Sequence, residues 1–140
     1  MSDEAALNLY ERIVHDTVDA VIYADREGKI QLWNAAAESI FGFPTTTAVG
    51  TTLDLIIPER LRASHWAGYR RAMETGSTRL NGRPTLTRAL HRDGRKLYVE
   101  MTFSVVRSPT GTVLGSVAVA RDVTDKRMKE AGVGRASGAS

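Results

Sequence analysis

The chain has 140 residues, of which 42% are apolar and 25% charged, with no cysteine and a formal net charge of +3. That balance describes one soluble globular domain able to bury roughly two-thirds of its surface, and it excludes disulfides, thiolate metal sites, a thiol nucleophile and any cofactor attached through sulfur. The basic residues are scattered and lack the line of stacking aromatics that single-stranded nucleic acid requires. The longest apolar runs are too short for a bilayer. No nucleic-acid and no membrane partner is expected. The opening Met1-Ser2-Asp3-Glu4 is acidic where a secretory leader is basic, so the expected location is cytoplasmic.

In chain order, Leu7, Tyr10, Ile13 and Val14 recur at helical spacing and predict an amphipathic N-terminal helix over residues 1–16. Val18 to Asp25 reads as a strand, Arg26-Glu27-Gly28 as a turn, and Lys29 to Trp33 as the paired strand of a hairpin. Asn34 is a good N-cap for a short helix over Ala35–Phe41, closed by Gly42-Phe43-Pro44. Residues from Thr45 lead through Leu53–Ile57 to a second, longer helix that Pro58 opens and Gly76 stops. Three strand-like segments follow, Arg79 to His91, Arg95 to Val106 and Thr112 to Arg121, joined by Arg92-Asp93-Gly94 and Ser108-Pro109-Thr110-Gly111. Asp122 to Glu130 reads as a helix leaving the domain, and the remainder, rich in Gly, Ala and Ser, as a flexible tail. The expected division is therefore a helix over 1–16, a core over 17–124, and an exit helix with tail over 125–140. The fold class is α+β: an antiparallel sheet with short helices on one face, and between the two layers a cleft suited to a small ligand.

The longer helix carries the most specific chemical signal. Ile57, Leu61, His65, Tyr69 and Ala72 share one of its faces, which makes His65 the only ionisable side chain within an apolar stripe. An imidazole aimed at a core needs a hydrogen-bond partner, a charge partner or a metal. No nucleophile–base pair, carboxylate pair or phosphate-binding glycine loop stands out, so an enzyme is not expected.

Asp25-Arg26-Glu27-Gly28-Lys29-Ile30, Trp33-Asn34-Ala35-Ala36-Ala37-Glu38, Phe41-Gly42-Phe43, Val49-Gly50, Arg92-Asp93-Gly94 and Arg121-Asp122-Val123-Thr124 follow one another in an order and spacing that resembles the PAS family of sensory domains, over about Leu7 to Glu130. The resemblance implies a five-stranded antiparallel sheet in the order 2-1-5-4-3. Within that family, Ile57-Pro58-Glu59-Arg60-Leu61-Arg62 followed by His65 is similar to the haem-binding subgroup of oxygen-sensing histidine kinases and phosphodiesterases, which implies His65 as the proximal ligand of haem b iron. The same resemblance implies a cofactor pocket that includes Leu61, Tyr69, Met101 and Phe103, with Met101 a candidate sixth ligand. In one respect the chain departs from that subgroup. Where its oxygen-binding members carry an arginine on the third strand, counting back from Arg92-Asp93-Gly94 gives Thr85. Arg83, two residues earlier and so on the same face, is the expected cation of the pocket, whereas Arg88 falls on the other face.

The expected function is a sensory input domain of a two-component type of system, which binds a gas or small molecule at haem b and signals to a downstream effector. It is expected to work as a homodimer through the N-terminal helix. The alternative is a PAS interaction module that dimerises and binds a non-haem ligand, or none. A flavin flanked by Trp33 is a further possibility; the absence of cysteine removes the photoactive thiol-adduct branch.

Overall fold

The computed structural model describes residues 2–130, so the proposed tail lies outside the described residues. Helix α1 (Asp3–Asp16) is opened by Ser2, whose hydroxyl accepts a hydrogen bond from the Ala5 amide. Strands β1 (Ala20–Asp25) and β2 (Ile30–Trp33) form the first hairpin. Helix α2 (Ala35–Phe41), the short α3 (Thr45–Ala48) and a single 3-10 turn (Leu53–Ile56) lead to α4 (Glu59–Thr75), with Gly76 as its stop. Strands β3 (Thr85–Leu90), β4 (Lys96–Arg107) and β5 (Val113–Asp122) complete one antiparallel sheet in the order β2-β1-β5-β4-β3. Residues 124–130 are helical and form the exit helix.

Strand alternation aims one face of this sheet at the helices. Ala20, Ile22 and Ala24 of β1, Leu97, Val99 and Met101 of β4, and Ala118 and Ala120 of β5 are all buried, while the residues between them are not. Trp33 and Phe41, ring centroids 5.5 Å apart, join them from β2 and α2. The inner face of β1 and β5 is built largely from alanine. Small side chains there cannot fill the space beneath α4, whose backbone stands off from the sheet. That unfilled space is the origin of the cavities described below.

Asn34 ties three elements together. Its side-chain oxygen accepts from the amides of Val21 (2.9 Å) and Ala37 (3.1 Å), and its amide nitrogen donates to the carbonyls of Val14 (2.7 Å) and Asp19 (3.0 Å). The residue is buried with every hydrogen-bonding capacity used, so one side chain caps α2, anchors β1 and holds the end of α1.

Beyond α1, three boundaries differ from the sequence reading by two residues or more. Val18 is exposed ahead of the first strand, which begins at Ala20. The third strand begins at Thr85, not Arg79, because Thr78–Gly82 forms a turn with Asn81 and Gly82 both at positive φ, and Pro84 has no amide to give to a ladder. Asp122 ends β5, its carboxylate accepts from the Thr124 amide (2.9 Å), and the exit helix begins at residue 124, two residues later than expected.

Candidate functional site

His65 lies midway along α4, on the side facing the sheet. Edge-to-face contact with Trp66 (ring centroids 4.9 Å, 76°) and a tilted contact with Tyr69 (5.9 Å) hold its ring. Those neighbours are themselves anchored. The Trp66 indole donates to the Asp54 carboxylate (2.8 Å) and covers Gly28, where a Cβ would fall 2.2 Å from the indole ring and φ is +82°. Glycine alone satisfies both demands. The Tyr69 hydroxyl donates to the backbone carbonyls of Ala24 (3.3 Å) and Asp25 and accepts from Ser116 (3.4 Å). Helix α4 is thus fastened at its flanks to the β1–β2 turn and to β5, with space left between.

Two apolar cavities occupy that space, and His65 and Phe103 line both of them. The first, about 220 Å³, lies toward the end of α4 and is bounded by Gly68, Tyr69, Ala72, Met73, Leu80 and Ser116. The second, about 180 Å³, lies toward its start and is bounded by Ile22, Leu53, Leu61, Thr85, Thr87, Met101 and Ala118, among others. Each is smaller than the roughly 300–1,000 Å³ of an ordinary small-molecule site, and together they fall within it.

The His65 Nδ1 is buried with no hydrogen-bond partner among the described residues. Burial holds the imidazole's pKa below its ordinary 6.5, with the Asp54 carboxylate opposing only in part. The ring is therefore neutral near pH 7, and an unpaired nitrogen of a neutral imidazole, walled by apolar side chains, is a ligand in want of an acceptor. Among the described residues no three His, Asp or Glu side chains gather as a metal-ion site, so an iron bound here would bring most of its donors with it. A porphyrin does so. The residues present fit haem in donor type and lining.

The structure brings together six of the seven expected pocket residues: His65 and Phe103 between the cavities, Tyr69 on the first, and Leu61, Thr85 and Met101 on the second. Arg83 is not with them. It precedes β3, so the strand alternation does not reach it; it is exposed, and its Nε donates to the Leu80 carbonyl (3.1 Å). Trp33 lines neither cavity; its indole donates to the Phe43 carbonyl (2.9 Å) from within the core. A different cation stands at the first cavity: Arg79, in the turn after α4. Beside it lies a recess of mixed lining, with Ser64, Arg71, Thr75, Ser77, Thr78 and Arg79 next to Ala67 and Ala72. No periodicity marks a turn residue as facing a cavity, so Arg79 left no trace in the sequence pattern. Thr87 and Arg88 also reach the second cavity, and once the strand's start is known, alternation finds Thr87.

The PAS fold family model matches residues 8–123. The sensor protein FixL of Bradyrhizobium diazoefficiens is 28% identical over 119 residues, 85% of this chain and 23% of that protein. The oxygen sensor protein DosP of Escherichia coli is 25% identical over 123 residues, 88% of this chain and 15% of that protein. This chain therefore spans less than a quarter of either relative. Among solved structures, an RNA-binding light-oxygen-voltage receptor superposes with a TM-score of 0.74 at 20% identity, covering 99% of this chain and 39% of that one, a likeness of fold alone.

Proposed function

Since the chain belongs to the PAS family, we propose that it is a sensory domain that holds haem b through His65 and passes the state of that site to a partner or effector through the exit helix. The observation that carries this reading is the buried Nδ1 of a half-buried imidazole, without a hydrogen-bond partner among the described residues, on a side chain that lines two apolar cavities. When bound, haem supplies an iron whose remaining coordination position responds to a gas or to redox state. The chain's own residues do the rest. Trp66 and Tyr69 fix the imidazole plane, the aliphatic wall of Ile22, Leu61 and Ala118 excludes water, and Arg71 and Arg79 offer positive charge to an anionic edge of the ligand at the cavity mouth. Thr85 offers a hydroxyl and no charge in the second cavity, which favours a ligand other than a strongly held oxygen.

Haemin titrated into the purified chain is expected to give a sharp Soret band at one equivalent, and His65→Ala is expected to shift and weaken it. An unchanged spectrum in that variant removes His65 as the ligand; no binding at all removes haem.

A second property is supported by α1. Leu7 (63% exposed), Tyr10 (62%) and Ile13 (55%) present an apolar stripe, and no residue of the helix is buried. Such a stripe suits a second copy of the same helix, making the sensor a homodimer.

A further inference from the structure

We infer that Tyr98 is the joint that couples β3, a wall of the second cavity, to the exit helix, with Arg88 and Arg127 as the two cations that hold its ring. The inference rests on the relay reading above for its purpose, but the coupling itself belongs to the chain without ligand.

Tyr98 is the β4 residue directly opposite Arg88 of β3. Its neighbours Leu97 and Val99 point into the core, so Tyr98 and Arg88 stand on the outer face of the sheet, away from the helices. The Arg88 guanidinium carbon lies 5.6 Å from the ring centroid, and that of Arg127, from the exit helix, lies 6.0 Å from the same centroid. Both distances fall within the range of a cation–π contact.

The backbone of Tyr98 completes the joint. The β4–β5 ladder ends at Val99 and Asp122, one residue short of it. There the Tyr98 carbonyl accepts from the Val123 amide (2.9 Å), and its own amide donates to the Thr124 hydroxyl (2.9 Å). Residues 123 and 124 are where strand becomes helix, and the first helical bond from Arg127 closes on the Val123 carbonyl (2.8 Å). One side chain and its peptide groups thus govern both the direction of the exit helix and the position of its first turn.

On the other side, β3 is a single strand paired with β4 along its whole length without a bulge. Thr85, Thr87 and Ala89 face the second cavity, and Arg88 between them also reaches its rim. A ligand that displaces Thr87 cannot leave Arg88 where it was, and Arg88 shares its ring with Arg127. Displacement at the cavity is converted into a change in how firmly the exit helix is held.

The test is hydrogen exchange at amides 127–130 in the full, ligand-free chain. Among the described residues no hydrogen bond or ion pair joins Arg88 to the exit helix, and the Tyr98 ring is what they share. Arg88→Gln is nonetheless expected to speed exchange there by about two- to five-fold, the size of one exposed cation–π contact. Tyr98→Phe, which keeps the ring, should match the parent. In a Tyr98→Leu background Arg88→Gln should add nothing. Exchange unaffected by Arg88→Gln, or an effect that persists without the ring, overturns the joint. Should Tyr98→Leu unfold, as circular dichroism would show, the double variant Arg88→Gln/Arg127→Gln decides: less than additive effects support the shared ring, and simple additivity overturns it. Coupling in a chain that takes up no haem would leave the joint standing and the haem reading fallen; haem uptake without coupling would do the reverse.

Discussion

Replacing His65 with leucine tests the site most sharply, because the change should stabilise the ligand-free protein. Stranding a buried polar nitrogen costs about 1–3 kcal/mol, and leucine removes that cost while filling much the same space. Against it stands the edge-to-face contact with Trp66, a kind of pair worth about 0.5–1.5 kcal/mol. The balance favours His65→Leu by about 1 kcal/mol, a rise in Tm of about 3–5 °C for a domain of this size. Urea unfolding followed by far-ultraviolet circular dichroism, without haem and at pH 8, should show a higher midpoint and an unchanged slope. The same variant should lose its affinity for haemin. A residue retained at a cost to stability is what a ligand-binding role demands. If His65→Leu instead loses more than about 1 kcal/mol, the imidazole is a structural anchor whose nitrogen is satisfied in solution, and the premise of the site is gone.

Burial lowers the folded pKa of His65, so near and below pH 6.5 the unfolded chain binds the proton more readily than the native one. Stability from this residue is therefore complete above pH 6.5 and declines as acid approaches the lowered folded value; the advantage of His65→Leu should widen between pH 8 and pH 5.5, and an unchanged gap would contradict the burial argument. Asn34→Ala leaves two carbonyls and two amides in the interior without their partner and should cost roughly 3 kcal/mol or more in urea unfolding; a loss below about 1 kcal/mol would mean water replaces the side chain freely. Deleting residues 1–15 should halve the mass measured by light scattering, and an unchanged mass would refute dimerisation through α1.

Much of the architecture was legible because it is local. The cap at Asn34, the turns at Arg26–Gly28 and Arg92–Gly94, and the face shared by Leu61, His65 and Tyr69 all follow from rules that act within a few residues, and each stands in the structure where it was read. The third strand was read too long because Leu80 and Arg83 continue an alternating pattern that the turn at Asn81-Gly82 overrides. Arg83 lost its expected place for that reason alone.

What the amino-acid order determined by itself is the ladder of elements and the single imidazole on an apolar helix face. What only the tertiary structure decided is that α4 stands away from an alanine-lined sheet and leaves the Nδ1 of that imidazole, beside two cavities, without a partner among the described residues. Tertiary structure also brings Arg88 and Arg127, 39 positions apart, to one tyrosine ring. The physical reason is range. Periodicity and capping are set by neighbours in sequence, whereas a void or a shared ring depends on how far apart the folded layers come to rest.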